Sequence, residues 1–117
     1  ATLYKNNARH GDAERLLQQA LEINQRMLGN NHPHVATSLN NLAALYESQG
    51  RYDEAELLLK QALALRQRIL GYDHPDVLSS LDNLIALYTK QDCYGEAKPF
   101  LEQALNLHQQ LSDNNYP

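Results

Sequence analysis

Three kinds of residue in this 117-residue chain could do chemistry. His32, His34 and His74 could ligate a metal, and Cys93, the single cysteine, could act as a nucleophile beside a histidine. Asn41 and Asn83 stand 42 residues apart, with Asn40 before the first and Asp82 before the second. An asparagine amide both donates and accepts. It can hold the N–H and C=O of an extended chain without reading its side chains.

The first two readings weaken on geometry. Zinc needs ligands converging at about 2 Å on one ion. His32 and His74 occupy equivalent positions in successive copies of a repeat. Helices packed side by side would hold them about 10 Å apart, so the recurrence points to helix-start geometry. Cys93 falls in an inter-helix turn and reads as a solvent-facing or half-buried thiol. The sequence has no Gly-rich phosphate loop and no readable Ser–His–Asp arrangement. Tyr4, Tyr46 and Tyr88 form one periodic set and Tyr52 and Tyr94 another, as packing residues with a wet hydroxyl do. No catalytic residue, cofactor or metal is expected.

The elements that must position the amides follow from an internal repeat. Residues 32–73 return as residues 74–115, with 20 of 42 aligned pairs identical. Residues 1–31 align with 43–73, with 15 of 31 pairs identical, and read as the back part of a third copy. A period of this size marks a solenoid. The expected fold is all-α, an α-solenoid of stacked antiparallel helix pairs in one domain over 1–117: a partial repeat 1–31 and full repeats 32–73 and 74–115. Because the chain starts within a helix pattern and ends on Asn115-Tyr116-Pro117, which mirrors Asp73-His74-Pro75, it reads as a piece of a longer array.

Within each copy the pattern predicts two helices. Residues 1–7 read as the end of one helix, followed by a turn around Ala8–Gly11 and a helix from Asp12 to Leu28 closed by Gly29. Pro33 suits a first helical position, because its missing N–H would be unpaired there. Val35, Leu39, Leu42, Ala43, Leu45 and Tyr46 form the apolar set of the helix that follows. Asp53 with Glu56 resembles a capping box for the next helix, which ends at Gly71. In the last copy Asp92, Cys93 and Gly95 replace Gly50, Arg51 and Asp53, and Pro99 sits early in the final helix. A less crisp start is expected there, with an end near Leu111. Stacking is expected to bury Ala13, Ala55 and Ala97, and Ala20, Ala62 and Ala104, at close contacts.

These residues resemble tetratricopeptide repeats, and more narrowly the long repeats of kinesin light chains. His32-Pro33, Leu39-Asn40-Asn41-Leu42-Ala43, Tyr46, Tyr52-Asp53-Glu54-Ala55 and Leu70-Gly71 carry the resemblance, which covers essentially the whole chain. It implies a tetratricopeptide repeat superhelix whose first helices line a concave face and whose second helices lie outside. It also implies a groove that grips extended peptide segments of cargo and adaptor proteins. The expected lining is Thr37, Asn40, Asn41, Ala44 and Ser48, then Ser79, Asp82, Asn83, Ala86 and Lys90. Asn41 and Asn83 are the expected backbone clamps, Asn40 and Asp82 set local specificity, and Ala44 and Ala86 leave room for the peptide backbone. The competing reading is that these amides are solvated or bond to a neighbouring helix.

Charge supports the division of faces. Of the charged residues, only Glu47, Asp76, Asp82 and Lys90 lie in 34–49 and 76–91, while Lys5 lies in the partial copy. Members of the family that take acidic, tryptophan-containing peptides use basic groove residues, and this chain offers few. The net charge of −4 gives no reason to expect nucleic acid or an acidic membrane surface. No apolar run approaches the roughly 20 residues of a membrane span, and the lone cysteine fits a reducing, cytoplasmic setting. The expected function is a non-catalytic scaffold that binds an extended peptide or partner protein. The alternatives are end-to-end self-association of the array and a regulatory segment of a larger signalling protein.

Overall fold

The computed structural model describes residues 2–114, with side chains from 11 to 113. Five helices follow one another: α1 (Thr2–Leu28), α2 (Pro33–Ser48), α3 (Tyr52–Leu70), α4 (Pro75–Lys90) and α5 (Tyr94–Asn114). Each helix packs mainly on the one before it and the one after it. The chain therefore zigzags as a helical repeat, with α2–α3 and α4–α5 as two antiparallel pairs.

The helix starts show why proline and histidine recur together. Pro33 and Pro75 open α2 and α4. The Nδ1 atoms of His32 and His74 accept hydrogen bonds from the backbone N–H of His34 (3.1 Å) and Asp76 (3.0 Å). Each imidazole thus satisfies one of the donors left open at a helix N-terminus.

The turns inside each pair depend on one left-handed residue. Gly50 takes φ 77°, and Arg51 N–H then reaches back to the Tyr46 carbonyl at 2.8 Å. In the next copy Asp92 takes φ 58° and Cys93 N–H reaches the Tyr88 carbonyl, again at 2.8 Å. Aspartate tolerates this conformation better than most side chains. For that reason α5 begins at Tyr94 in the register of α3 at Tyr52, and the expected weaker start is not seen.

Position 8 corrects the sequence reading. Ala8 occupies the place of Gly50 and Asp92. Alanine enters the left-handed region only at a cost of about 1–2 kcal/mol. The backbone instead stays helical from Thr2 to Leu28, and the turn expected around Ala8–Gly11 does not form. The Asp53 capping box is also absent. α3 starts at Tyr52 with Arg51 as its N-cap and no side-chain cap, because the Tyr46–Arg51 turn closes two residues before Asp53. Asp53 and Glu54 still lie in the first turn, where the helix dipole favours negative charge. α5 runs to Asn114, past the expected end at Leu111. Residues 115–117 and the Lys5 side chain, both used in the sequence reading, lie outside the described residues.

The core is the sum of the facing stripes. Leu42, Ala43 and Tyr46 of α2, Ala55, Leu59 and Leu63 of α3, Val77, Leu81, Leu84, Leu87 and Tyr88 of α4, and Ala97, Ala104 and Leu107 of α5 form its main cluster. Val35, Ala36 and Leu39 meet Ala62 and Leu65 in a second. The alanine expectation holds for α3 and α5, where all four are buried. It fails in α1, where Ala13 is half-buried and Ala20 is exposed. α2 covers Ala62, whereas no helix among the described residues covers Ala20.

Candidate functional site

The sequence-predicted residues form two parallel stripes. Thr37, Asn41, Ala44 and Ser48 are spaced four, three and four along α2, so they share one face. Ser79, Asn83, Ala86 and Lys90 repeat that spacing on α4. All eight are exposed. Thr37 and Ser48 turn their hydroxyls onto their own helix, to the carbonyls of Pro33 (3.3 Å) and Leu45 (2.6 Å). No hydrogen bond among the described residues uses the amides of Asn41 and Asn83. They sit one turn from Ala44 and Ala86, whose small side chains leave the face low.

An ion pair brings the two stripes together. Lys90 Nζ of α4 lies 2.8 Å from Glu47 Oε1 of α2. The hydrogen bond to Glu47 holds the Lys90 pKa above its ordinary value. Glu47 is the more enclosed partner, with 17% of its side chain exposed against 60% for Lys90.

Asn40 and Asp82 directly precede Asn41 and Asn83 but differ from each other. Asn40 is half-buried. In the amide orientation that satisfies both groups, its oxygen accepts from Arg66 Nη1 at 3.0 Å and Nη2 at 3.1 Å. Arg66 Nη1 also donates to Ser80 Oγ (3.0 Å) and the Asp76 carbonyl (3.1 Å). One guanidinium thus ties α2, α3 and α4. Burial pushes its pKa down, against the pull of the Asp76 carboxylate. Asn40 therefore bonds a neighbouring helix, as the competing reading had it. Asp82 is exposed and makes no ion pair among the described residues.

Arg66 and Ser80 were not singled out from sequence. The available signal was a serine, Ser38 and again Ser80, on an otherwise apolar face. Both serines are buried, and both meet a polar group from the preceding helix. Asn24 donates to Ser38 at 2.8 Å, where Arg66 donates to Ser80.

The histidines and the cysteine do not converge. Among the described residues no group of three His, Cys, Asp or Glu side chains gathers as metal ligands would. Cys93 is half-buried, its thiol directed at the Gln91 carbonyl at 3.6 Å. No described helix is long and apolar enough to cross a membrane. Among the described residues, the face built by α2 and α4 offers neutral amides, small side chains and the unpaired carboxylate of Asp82.

Comparison with known proteins agrees with this architecture. The family model for the tetratricopeptide repeat matches residues 1–68 and 58–110. The crystal structure of BtubC (BKLC) from P. vanneervenii is 28% identical over 99% of this chain and 46% of its own, with a TM-score of 0.79. A protein from Podosopora anserina, assigned as a kinesin light chain with nearly identical repeats of this type, is 29% identical over 99% of this chain and 55% of its own, with a TM-score of 0.77. A single-substitution variant of that protein gives a TM-score of 0.78 at 29% identity, with the same coverage. The chain spans about half the length of these structures. No curated protein sequence matches it.

Proposed function

This chain belongs to the tetratricopeptide repeat family, and we propose that it is a non-catalytic module whose α2–α4 face grips an extended peptide segment of a partner protein. Repeats of this family mediate protein–protein interaction, and the Podosopora anserina structures that carry the kinesin light chain name favour a cargo or adaptor role in the cytoplasm. One observation carries the reading: Asn41 and Asn83 present free amides at equivalent points of two parallel helices, each beside an exposed alanine. A peptide backbone laid across them regains the hydrogen bonds it gives up to water. Thr37, Ser48 and Ser79 extend the polar stripe, and Lys90 with Glu47 closes one end of it.

The test is a binding screen of uncharged extended peptides against the wild type and Asn41→Ala/Asn83→Ala. Binding that disappears in the double variant, with both proteins monomeric by light scattering and equally helical by circular dichroism, supports the groove. Binding unchanged in the variant removes the amides from the mechanism.

A second reading, self-association, has its own observation. Leu16, Ile23 and Met27 of α1 are 63%, 56% and 76% exposed. With Ala20 they form a stripe whose equivalents on α3 (Leu58, Ala62, Leu65 and Ile69) lie in or against a core cluster. Light scattering that rises with concentration in the wild type, and not in Ile23→Lys, would favour this role.

A further inference from the structure

We infer that the α2–α4 face selects segments carrying a basic side chain, and that Asp82 is the residue that reads it. This rests on the peptide-binding reading above and goes beyond it by fixing the charge of the partner. Among the described residues the charges that face this surface are unequally engaged, and its two cations, Lys90 and Arg66, are already taken. Lys90 holds Glu47 at 2.8 Å, and Glu47 is mostly enclosed. Moving the ammonium to an acidic ligand would leave that carboxylate unpaired in a partly dry site, where a lone charge is costly. Arg66 is half-buried and bonded to Asn40, Ser80 and the Asp76 carbonyl, so its guanidinium cannot reach out without breaking the junction of three helices.

The anions are differently placed. Asp82 is exposed, makes no ion pair among the described residues, and precedes the Asn83 clamp by one position. The Asp76 carboxylate, 55% exposed at the start of the same helix, lies only 3.9 Å from His74 Nδ1. A peptide whose backbone is held by Asn83 brings a neighbouring side chain beside Asp82. A lysine or arginine there meets a free carboxylate. A glutamate meets repulsion and finds no free cation among the described residues of this face. Because Asp82 is exposed, the preference is modest, about two- to fivefold per charge.

The experiment is a chemical-shift titration of the isotope-labelled chain, read at the side-chain amides of Asn41 and Asn83. Three short, end-blocked alanine–serine peptides are compared, differing only in a central lysine, glutamine or glutamate. The lysine peptide is expected to bind about two- to fivefold more tightly than the glutamine peptide at low salt, and the glutamate peptide more weakly than either. Asp82→Asn should bring the lysine-to-glutamine ratio to about one, and Asp82→Lys should invert it toward glutamate. Equal affinities, a glutamate preference, or a ratio that survives Asp82→Asn would overturn the assignment while leaving the groove standing. Silence of both amides toward all three peptides would overturn it together with the peptide-binding reading.

Discussion

The Tyr88 hydroxyl of α4 donates to Glu56 Oε2 of α3 at 2.5 Å, across the boundary between the two helix pairs. One repeat earlier the equivalent carboxylate, Glu14, is held instead by Arg51 Nη1 at 2.6 Å. Arg51 also lies over the Tyr46 ring, 4.1 Å from its centre, and Tyr46 takes its hydrogen bond from Gln18. Cys93 replaces Arg51 in the later copy. Without the guanidinium, Glu56 is taken by the tyrosine and by Lys60 at 3.1 Å. The same boundary is thus closed by two different polar networks.

Tyr88→Phe should therefore lower stability by about 1.5–3 kcal/mol, the range for a hydrogen bond to a charged group. Chemical denaturation at neutral pH measures it. The alkaline limb offers a second check. Burial, and then the bond to Glu56, push the Tyr88 pKa up to about 12 from 10.0. Between those values the unfolded chain loses this proton while the folded chain keeps it. Stability should fall as pH rises from 10 toward 12, and Tyr88→Phe should flatten that fall. On the acid side the hydrogen bond from Tyr88, and then Lys60, hold Glu56 below 4.5. Its contribution is present above that value and is lost as pH drops below it.

The two left-handed turn residues make opposite predictions. A Cβ at Gly50 would meet no atom within 4 Å, so the cost of Gly50→Ala is conformational and should be about 1–2 kcal/mol. Asp92 already bears a smaller part of that cost at φ 58°. Asp92→Gly should gain stability by up to about 1 kcal/mol, the larger chain entropy of unfolded glycine offsetting part of the relief. Paired thermal melts decide the sign of each.

Equivalent alanines should respond unequally. Ala62 is fully buried against α2, and Ala62→Leu should overpack that contact by about 1–3 kcal/mol. Ala20 occupies the same repeat position on α1 but is exposed, and Ala20→Leu should stay within about 0.5 kcal/mol of wild type. Equal losses in urea denaturation would mean that Ala20 is covered in solution.

Leu84 lies at the centre of α4 with no exposed surface. Leu84→Ala should cost about 2–5 kcal/mol, combining lost burial with the cavity left behind.

Legibility in the sequence followed the period. The helix pairs could be read because a repeated stripe needs a repeated partner, and His32-Pro33 and His74-Pro75 marked two starts to the residue. The stripes of α2 and α4 were legible for the same reason. Position 8 was not, because the repeat alignment that placed a turn there could not show that alanine would decline the left-handed conformation. Asn40 and Asn41 are adjacent in sequence and of one residue type, yet one amide faces Arg66 and the other faces solvent. That distinction belongs to the rotation of α2 against α3, which periodicity does not carry. The Glu56–Tyr88 bond was likewise hidden, since it depends on the arginine that Cys93 displaces.

The zigzag of contacts, helix to next helix, has a consequence for how the molecule comes and goes. Most of its packing joins segments close together in sequence, so no distant strands of chain have to find one another before stabilising contacts appear. Formation should be fast, and loss should be graded rather than abrupt. α1, with its exposed leucine, isoleucine and methionine, would open before the α3–α4 boundary around Leu84, Leu87 and Tyr88. Amide exchange would then read as a gradient along the array, slowest in α4. A partner seated across α2 and α4 would slow exchange there further and leave α1 free to breathe.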